Sequence, residues 1–199
     1  MNLRDRFLHK ETRYLYSDPF VVPEMSERLL DLLPQEREIV VVCIGTDRST
    51  GDSFGPVAGS MIRDNNPKHF SVYGTLPEPV HALNLKDTLD AIRAKYTRPF
   101  IIAVDACLGK TSSIGILSVS KGSLAPGAAL KKDLPKVGDV SISGIVNVGG
   151  FMEYFVLQNT RLHTVIEMAS QVSQVFHRVD LELQLRQRKN PPFRNLSSN

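Results

Sequence analysis

The 199-residue chain has no tryptophan and only two cysteines, Cys43 and Cys107. Two cysteines in a chain of this length exclude a disulfide-stapled scaffold. No apolar run approaches the roughly 18 residues that a membrane span needs. The first twenty residues, MNLRDRFLHKETRYLYSDPF, lack the apolar block of a secretory signal. The expectation is a soluble protein of a reducing cytoplasm. An excess of one charge sign is also missing. Lys plus Arg number 24 against 21 for Asp plus Glu, a net charge of +3. The segment from Arg178 onward, with five basic and two acidic residues, accounts for all of it. A neutral body with a weakly basic tail lacks the dense basic stripe of a nucleic-acid-binding face. Neither nucleic acid nor membrane is expected as a partner. Two catalytic signatures are absent: the phosphate loop G-x-x-x-x-G-K-[ST] and the dinucleotide fingerprint G-x-G-x-x-G. There is no internal repeat.

What is present is 42% hydrophobic residues in short blocks, enough for one domain spanning 1–199. Two apolar runs do not alternate, Ile39 to Gly45 and Phe100 to Asp105. Short, β-branched and continuous, they mark strands covered on both faces. Helical periodicity runs from Pro23 to Leu33, from Pro56 to Arg63 and from Leu83 to Tyr96, and His69 to Thr75 reads as a strand. Strands alternating with helices predict an α/β fold with a mostly parallel or mixed central sheet between helices. Ser113 to Ser120 alternates as a more exposed strand, and a further extended piece lies around Val140 to Val148. Phe151 to Arg178 is expected as one long helix. About 1–19 is expected as a peripheral segment and about 186–199 as a loose, polar tail.

Ligands in open α/β sheets bind beyond the carboxyl ends of the strands. Two segments fall there, Gly45-Thr-Asp-Arg-Ser-Thr-Gly-Asp-Ser-Phe-Gly55 and Asp105-Ala-Cys-Leu-Gly109. Each brings a carboxylate. Asp52 admits two readings, a cap of the next helix or a catalytic acid. Asp105 terminates five apolar residues, where a carboxylate is costly unless paired, hydrogen-bonded or protonated. Two acids close together resist joint ionisation. Sharing one proton supplies the acid and the base for amide hydrolysis by water.

The segments VVVCIGTDRSTGDSFGP, GTLPEPVHALNL, FIIAVDACLGK and LPKVGDVSISGIVNVGGFMEYFVLQNTRL resemble the YyaC-type sporulation proteins of spore-forming bacteria. More remotely, the chain is similar to the spore germination protease and to the hydrogenase maturation endopeptidases. Both have a glycine after a strand, an acid seven positions on and a glycine three further, here Gly45, Asp52 and Gly55. In both, a second acid closes a later strand in an Asp-Ala context, here Asp105-Ala106. The resemblance implies a three-layer α/β/α hydrolase-like fold with both acids on one cleft. The implied setting is sporulation or germination, in the forespore or mother-cell cytoplasm. The maturation endopeptidases hold nickel with a histidine after the second acid. Here no histidine follows Asp105 until His163, so no metal and no other cofactor is expected.

Asp52 and Asp105 are therefore the catalytic candidates, with peptide or protein as substrate. Asp47, Arg48, Glu78, His81 and Asn147 are candidate substrate-binding residues. Arg48 offers a cation to a carboxylate, Glu78 and His81 a rim, and Asn147 an oxyanion donor. Cys107 reads as a small buried hydrophobe, since no nearby histidine would activate it. Two other readings stay open. One is a non-catalytic spore protein that binds peptide in the same cleft. The other is a metal-dependent amidohydrolase built on Asp52, Asp105 and His81. Self-association into a homo-oligomer is also open.

Overall fold

The computed structural model describes residues 11–127 and 134–189. Its six strands are β1 (Thr12–Leu15), β2 (Ile39–Cys43), β3 (Phe70–Tyr73), β4 (Phe100–Gly109), β5 (Ile116–Lys121) and β6 (Val140–Val148). The helices are α1 (Val21–Leu32), α2 (Phe54–Asp64), α3 (Leu85–Lys95), α4 (Glu153–Gln158) and α5 (Leu162–Lys189). The sheet order is β1-β5-β6-β4-β2-β3. β6, β4, β2 and β3 run parallel, and β5 lies antiparallel to both β6 and β1.

The continuous apolar runs become the two central strands because both faces are covered. Ile39, Val41 and Cys43 of β2, with Ile102 and Val104 of β4, pack into a core shared with α1, α2 and α5. Val40, Val42, Ile101 and Ala103 turn to the other face and meet Leu85, Leu89 and Ile92 of α3. Helix, sheet and helix thus form the expected three layers around a mixed sheet.

Four details differ from the expectations. Residues 12–15, assigned to a peripheral segment, form the edge strand β1 and bury Tyr14. The long carboxy-terminal helix is two helices. Asn159 and Thr160 bond the carbonyls of Phe155 and Val156 with their side chains, closing α4 before α5 begins. Residues 186–189, expected to open a loose tail, are the last turn of α5, while 190–199 and 1–10 lie outside the described residues. Asp105 does not end its strand, since β4 continues to Gly109.

A buried acid joins the outer helix to the edge of the sheet. One oxygen of Asp180 in α5 accepts the backbone N–H groups of Lys68 (3.0 Å) and His69 (2.8 Å) and lies 2.9 Å from Nδ1 of His69. The other accepts Nε2 of Gln184 at 2.7 Å. Phe176 of α5 stacks edge-on against Phe70 of β3 at 5.2 Å. Burial pushes the Asp180 carboxyl up, but its donors outweigh that and hold it below the usual carboxylate range. We expect Asp180→Ala to cost about 2–4 kcal/mol, because several enclosed donors lose their acceptor at once. The folded pKa is depressed, so the stability Asp180 adds is present above the unfolded value and lost as pH falls through the folded one. Urea titrations at neutral and acidic pH measure both effects.

Candidate active site

The parallel strands end at different heights. β2 pairs with β4 only as far as Cys43 opposite Val104. From Asp105 onward β4 has β6 on one side, Asp105 facing Ser143, and no strand on the other. Asp105 is the first residue of β4 to emerge above its neighbour, on the face shared with Ala103.

The loop after β2 fills that gap. Gly45 adopts φ +148°, and a Cβ there would stand 1.9 Å from the carbonyl oxygen of Asp52. Thr46 N–H donates to that same carbonyl at 3.2 Å. At Gly55 a Cβ would meet the carbonyl oxygen of Ile44 at 2.1 Å. The two glycines let the loop fold back onto the end of β2, which gives their spacing around Asp52 a steric cause. Gly51 N–H donates to the carbonyl of Leu157 at 2.8 Å and ties the loop to α4. The capping reading of Asp52 does not hold. Ser53 occupies the cap position of α2, no side chain caps the helix, and the Ser53 hydroxyl donates to Thr50 instead.

Asp52 and Asp105 line the same open space. One cavity of about 330 Å³ contains both acids with Cys107, Ser143, Glu153 and Leu157. A second, of about 370 Å³, contains both with Asp47, Arg48, His81 and Leu83. Both volumes are of ligand size. Burial raises the Asp105 carboxyl well above its ordinary range. The charge of Asp52 raises it further, against a small opposing contribution from the backbone of Ala106. Burial also raises Asp52, offset by the Ser49 hydroxyl, which lies close but not in full hydrogen-bond geometry. The fold therefore disfavours two negative charges here.

The other candidates separate. Asp47, Arg48 and His81 line the second cavity beside the acids. The His81 loop is held by its backbone and not by its ring. Gly45 N–H donates to Val80, and the Asn84 side chain bridges His81 N–H and the Pro79 carbonyl. Nδ1 of His81 is buried without a partner. Glu78 lines neither acid cavity; it points outward and pairs with Arg63 at 3.3 Å. Asn147 lines neither, because its amide donates to Val156 and Thr160 while its oxygen accepts Val148 N–H. It fastens α4 to β6, so no donor is left for an oxyanion. Cys107 lies beside the acids, but burial and then the charge of Asp105 push its thiol up to about 11. It is a neutral wall group, not a nucleophile.

Sequence reasoning missed Glu153, a third acid in the smaller cavity, held at 3.0 Å by Gly150 N–H. Its signal was its place just after β6, whose carboxyl end opens on the same side of the sheet. Among the described residues no group of three or more His, Cys, Asp or Glu converges to hold a metal ion. The donor set therefore does not fit the nickel site of the maturation endopeptidases or the metal-dependent reading.

A three-layer α/β/α arrangement around such a sheet is the architecture of the maturation-protease fold. The fold matches the [NiFe] hydrogenase maturation protease HycI from Thermococcus kodakarensis KOD1, with TM-score 0.53 and 17% identity. The match covers 76% of this chain and 97% of that one. The chain itself belongs to the DUF1256 family, described as "Protein of unknown function (DUF1256)", which matches residues 13–175. It is 53% identical over 155 residues to "Uncharacterized protein YyaC" of Bacillus subtilis (strain 168), covering 78% of this chain and 76% of that protein.

The raised Asp105 carboxyl has a measurable consequence. Asp105 ionises more readily in the unfolded chain than in the fold. Its contribution to stability is therefore full below the unfolded value, near pH 4, and lost as pH rises through the folded value. We expect Asp105→Asn to gain about 0.5–2 kcal/mol at neutral pH. Near pH 3, below the unfolded value, where the wild-type group is largely neutral in both states, the gain should shrink toward zero. Thermal melts of both proteins at the two pH values check this.

Proposed function

We propose that the chain is a peptidase-like hydrolase in which Asp52 and Asp105 share one proton and activate a water molecule against an amide carbonyl. The observation that carries the reading is the pairing of two acids with raised carboxyl pKa on open cavities at the carboxyl edge of the sheet. The ionised member of the pair, which the lesser perturbation makes Asp52, accepts a proton as the water oxygen bonds to the carbonyl carbon. Protonated Asp105 supplies a proton to the carbonyl oxygen. Collapse of the tetrahedral intermediate breaks the C–N bond: Asp52 passes its proton to the leaving amine, and Asp105 takes one back from a hydroxyl of the intermediate, which becomes the product carboxyl and restores the pair. The likeness of the fold to a maturation protease supports this reading.

Arg48 and His81 are assigned to substrate binding, beside the acids in the second cavity. Asp47, exposed at its mouth, is placed with them. The setting we assign, sporulation or germination in the cytoplasm of a spore-forming bacterium, rests on the resemblance of the motifs to the YyaC-type proteins. A purely peptide-binding protein would use the same cleft but would not need a proton shared between its acids.

The test is incubation with spore-coat and spore-core extracts, followed by mass spectrometry of new termini. Wild type should generate defined cleavages. Asp52→Asn and Asp105→Asn should each reduce them by at least about a hundredfold, the scale of losing an acid or base. Activity should follow a bell-shaped pH profile with both limbs above the ordinary carboxylate range. It rises as the pair loses its first proton and falls as it loses the second. Cleavage unchanged in both variants would refute the assignment.

A further inference from the structure

We infer that the free edge of β3 is a docking strand for an extended polypeptide, which it delivers to the acid-lined cleft. Among the described residues β3 has a strand neighbour on one side only, β2. A strand with an open side presents backbone N–H and C=O groups in the spacing that another strand needs. Proteins usually guard such edges with charge, proline or a bulge. The opposite edge does so, since β1 carries Arg13 with Glu11 beside it at 3.7 Å. β3 is short, but none of its four residues is charged, a proline or bulged. Its residues are Phe-Ser-Val-Tyr, its register with β2 is unbroken, and Ser71, Val72 and Tyr73 are only half-buried.

The space beside this edge has the shape of a groove. A cavity of about 710 Å³ is lined by residues 71–75 in unbroken succession. Its other wall comes from Asn84, just before α3, from Thr88 in its first turn and from Tyr96 just beyond its end. Ser71 to Tyr73 are strand and reach about 10 Å, and Gly74, at φ +85°, and Thr75 prolong the wall beyond the strand end. Tyr73 and Tyr96 touch through their hydroxyls at 3.4 Å and offer an amphipathic wall to side chains. Thr75 is almost fully enclosed at the end of the groove, and its hydroxyl has no partner. Arg63 and Glu78 neutralise each other at 3.3 Å, which leaves Lys95 as the net charge along the groove and favours an acidic segment. Pro79 and His81 belong both to this groove and to the cavity holding Asp52 and Asp105. A strand laid on β3 therefore leads toward the acids. Main-chain pairing supplies the hold without demanding a sequence, and side chains alternate toward the tyrosines and the solvent.

The docking step stands apart from catalysis, but the purpose given to it rests on the hydrolase reading. The test uses full-length protein carrying Asp105→Asn, with β-casein as an unfolded, acidic probe. Hydrogen exchange should slow at least tenfold across 70–75 on adding casein and stay unchanged across Thr12–Leu15. Ser71→Lys, which places a charge on the edge, should weaken casein binding at least fivefold with the melting temperature retained. Casein binding without protection at 70–75, or no binding at all, overturns the inference. Protection at 70–75 that rises with protein concentration alone also overturns it, assigning the edge to a second copy of the chain. Asp105-dependent cleavage of casein by wild type without protection at β3 overturns the docking strand and leaves the hydrolase. Protection without such cleavage upholds the docking strand and removes the hydrolase.

Discussion

A carboxylate drawn out of water needs a counter-charge, a set of donors or a proton. Asp105 has little of the first two: the backbone of Ala106 helps it, and the charge that acts on it is that of another acid, Asp52. Retaining a proton is the remaining way to stay at low free energy. That one constraint organises the rest of the site. It requires a strand that outlasts its neighbour, a loop that brings the second acid over the gap, and walls that keep bulk water from screening the pair. The unequal heights of β2 and β4, the folded-back loop between Gly45 and Gly55, and the Leu157 wall from α4 meet those requirements in turn.

The scaffold tolerates this local conflict because its strength lies elsewhere. β2 is buried along its whole length, and β4 is buried as far as Val104. Two separate apolar clusters hold the sheet from either face. Asp180, itself a buried acid, shows the opposite solution to the same electrostatic problem. It is surrounded by donors and is held in its charged form. Asp180 and Asp105 differ in what their neighbours supply, and the contrast separates a carboxylate held charged from one whose charged form is disfavoured.

How much of this could be read from the sequence depends on where each signal resides. β2 and β4 announce themselves because double-sided burial leaves continuous apolar runs, and Asp52 and Asp105 stand out against those runs. β1 escapes notice because a four-residue edge strand with one wet face, Thr-Arg-Tyr-Leu, has almost no periodicity. The break between α4 and α5 is hidden because Phe155, Leu162 and Val165 keep helical spacing across it. Only the side-chain bonds of Asn159 and Thr160 reveal the stop. Glu78 and Asn147 were misplaced because their partners, Arg63 and Thr160, are distant in sequence and visible only in the fold. Glu153 was missed because a lone acid after Gly149-Gly150 looks like an ordinary start to a helix.

The claim at the centre of the account is that Asp105 holds a proton because burial and the charge of Asp52 both oppose its ionisation. Carbon-13 NMR of labelled aspartate carboxyls, titrated in wild type and in Asp52→Asn, reads this directly. The account predicts that Asp105 titrates well above the ordinary carboxylate range in wild type. It should move down, while staying elevated by burial, once the charge at position 52 is removed. An Asp105 carboxyl that titrates near pH 4 in both proteins would contradict it.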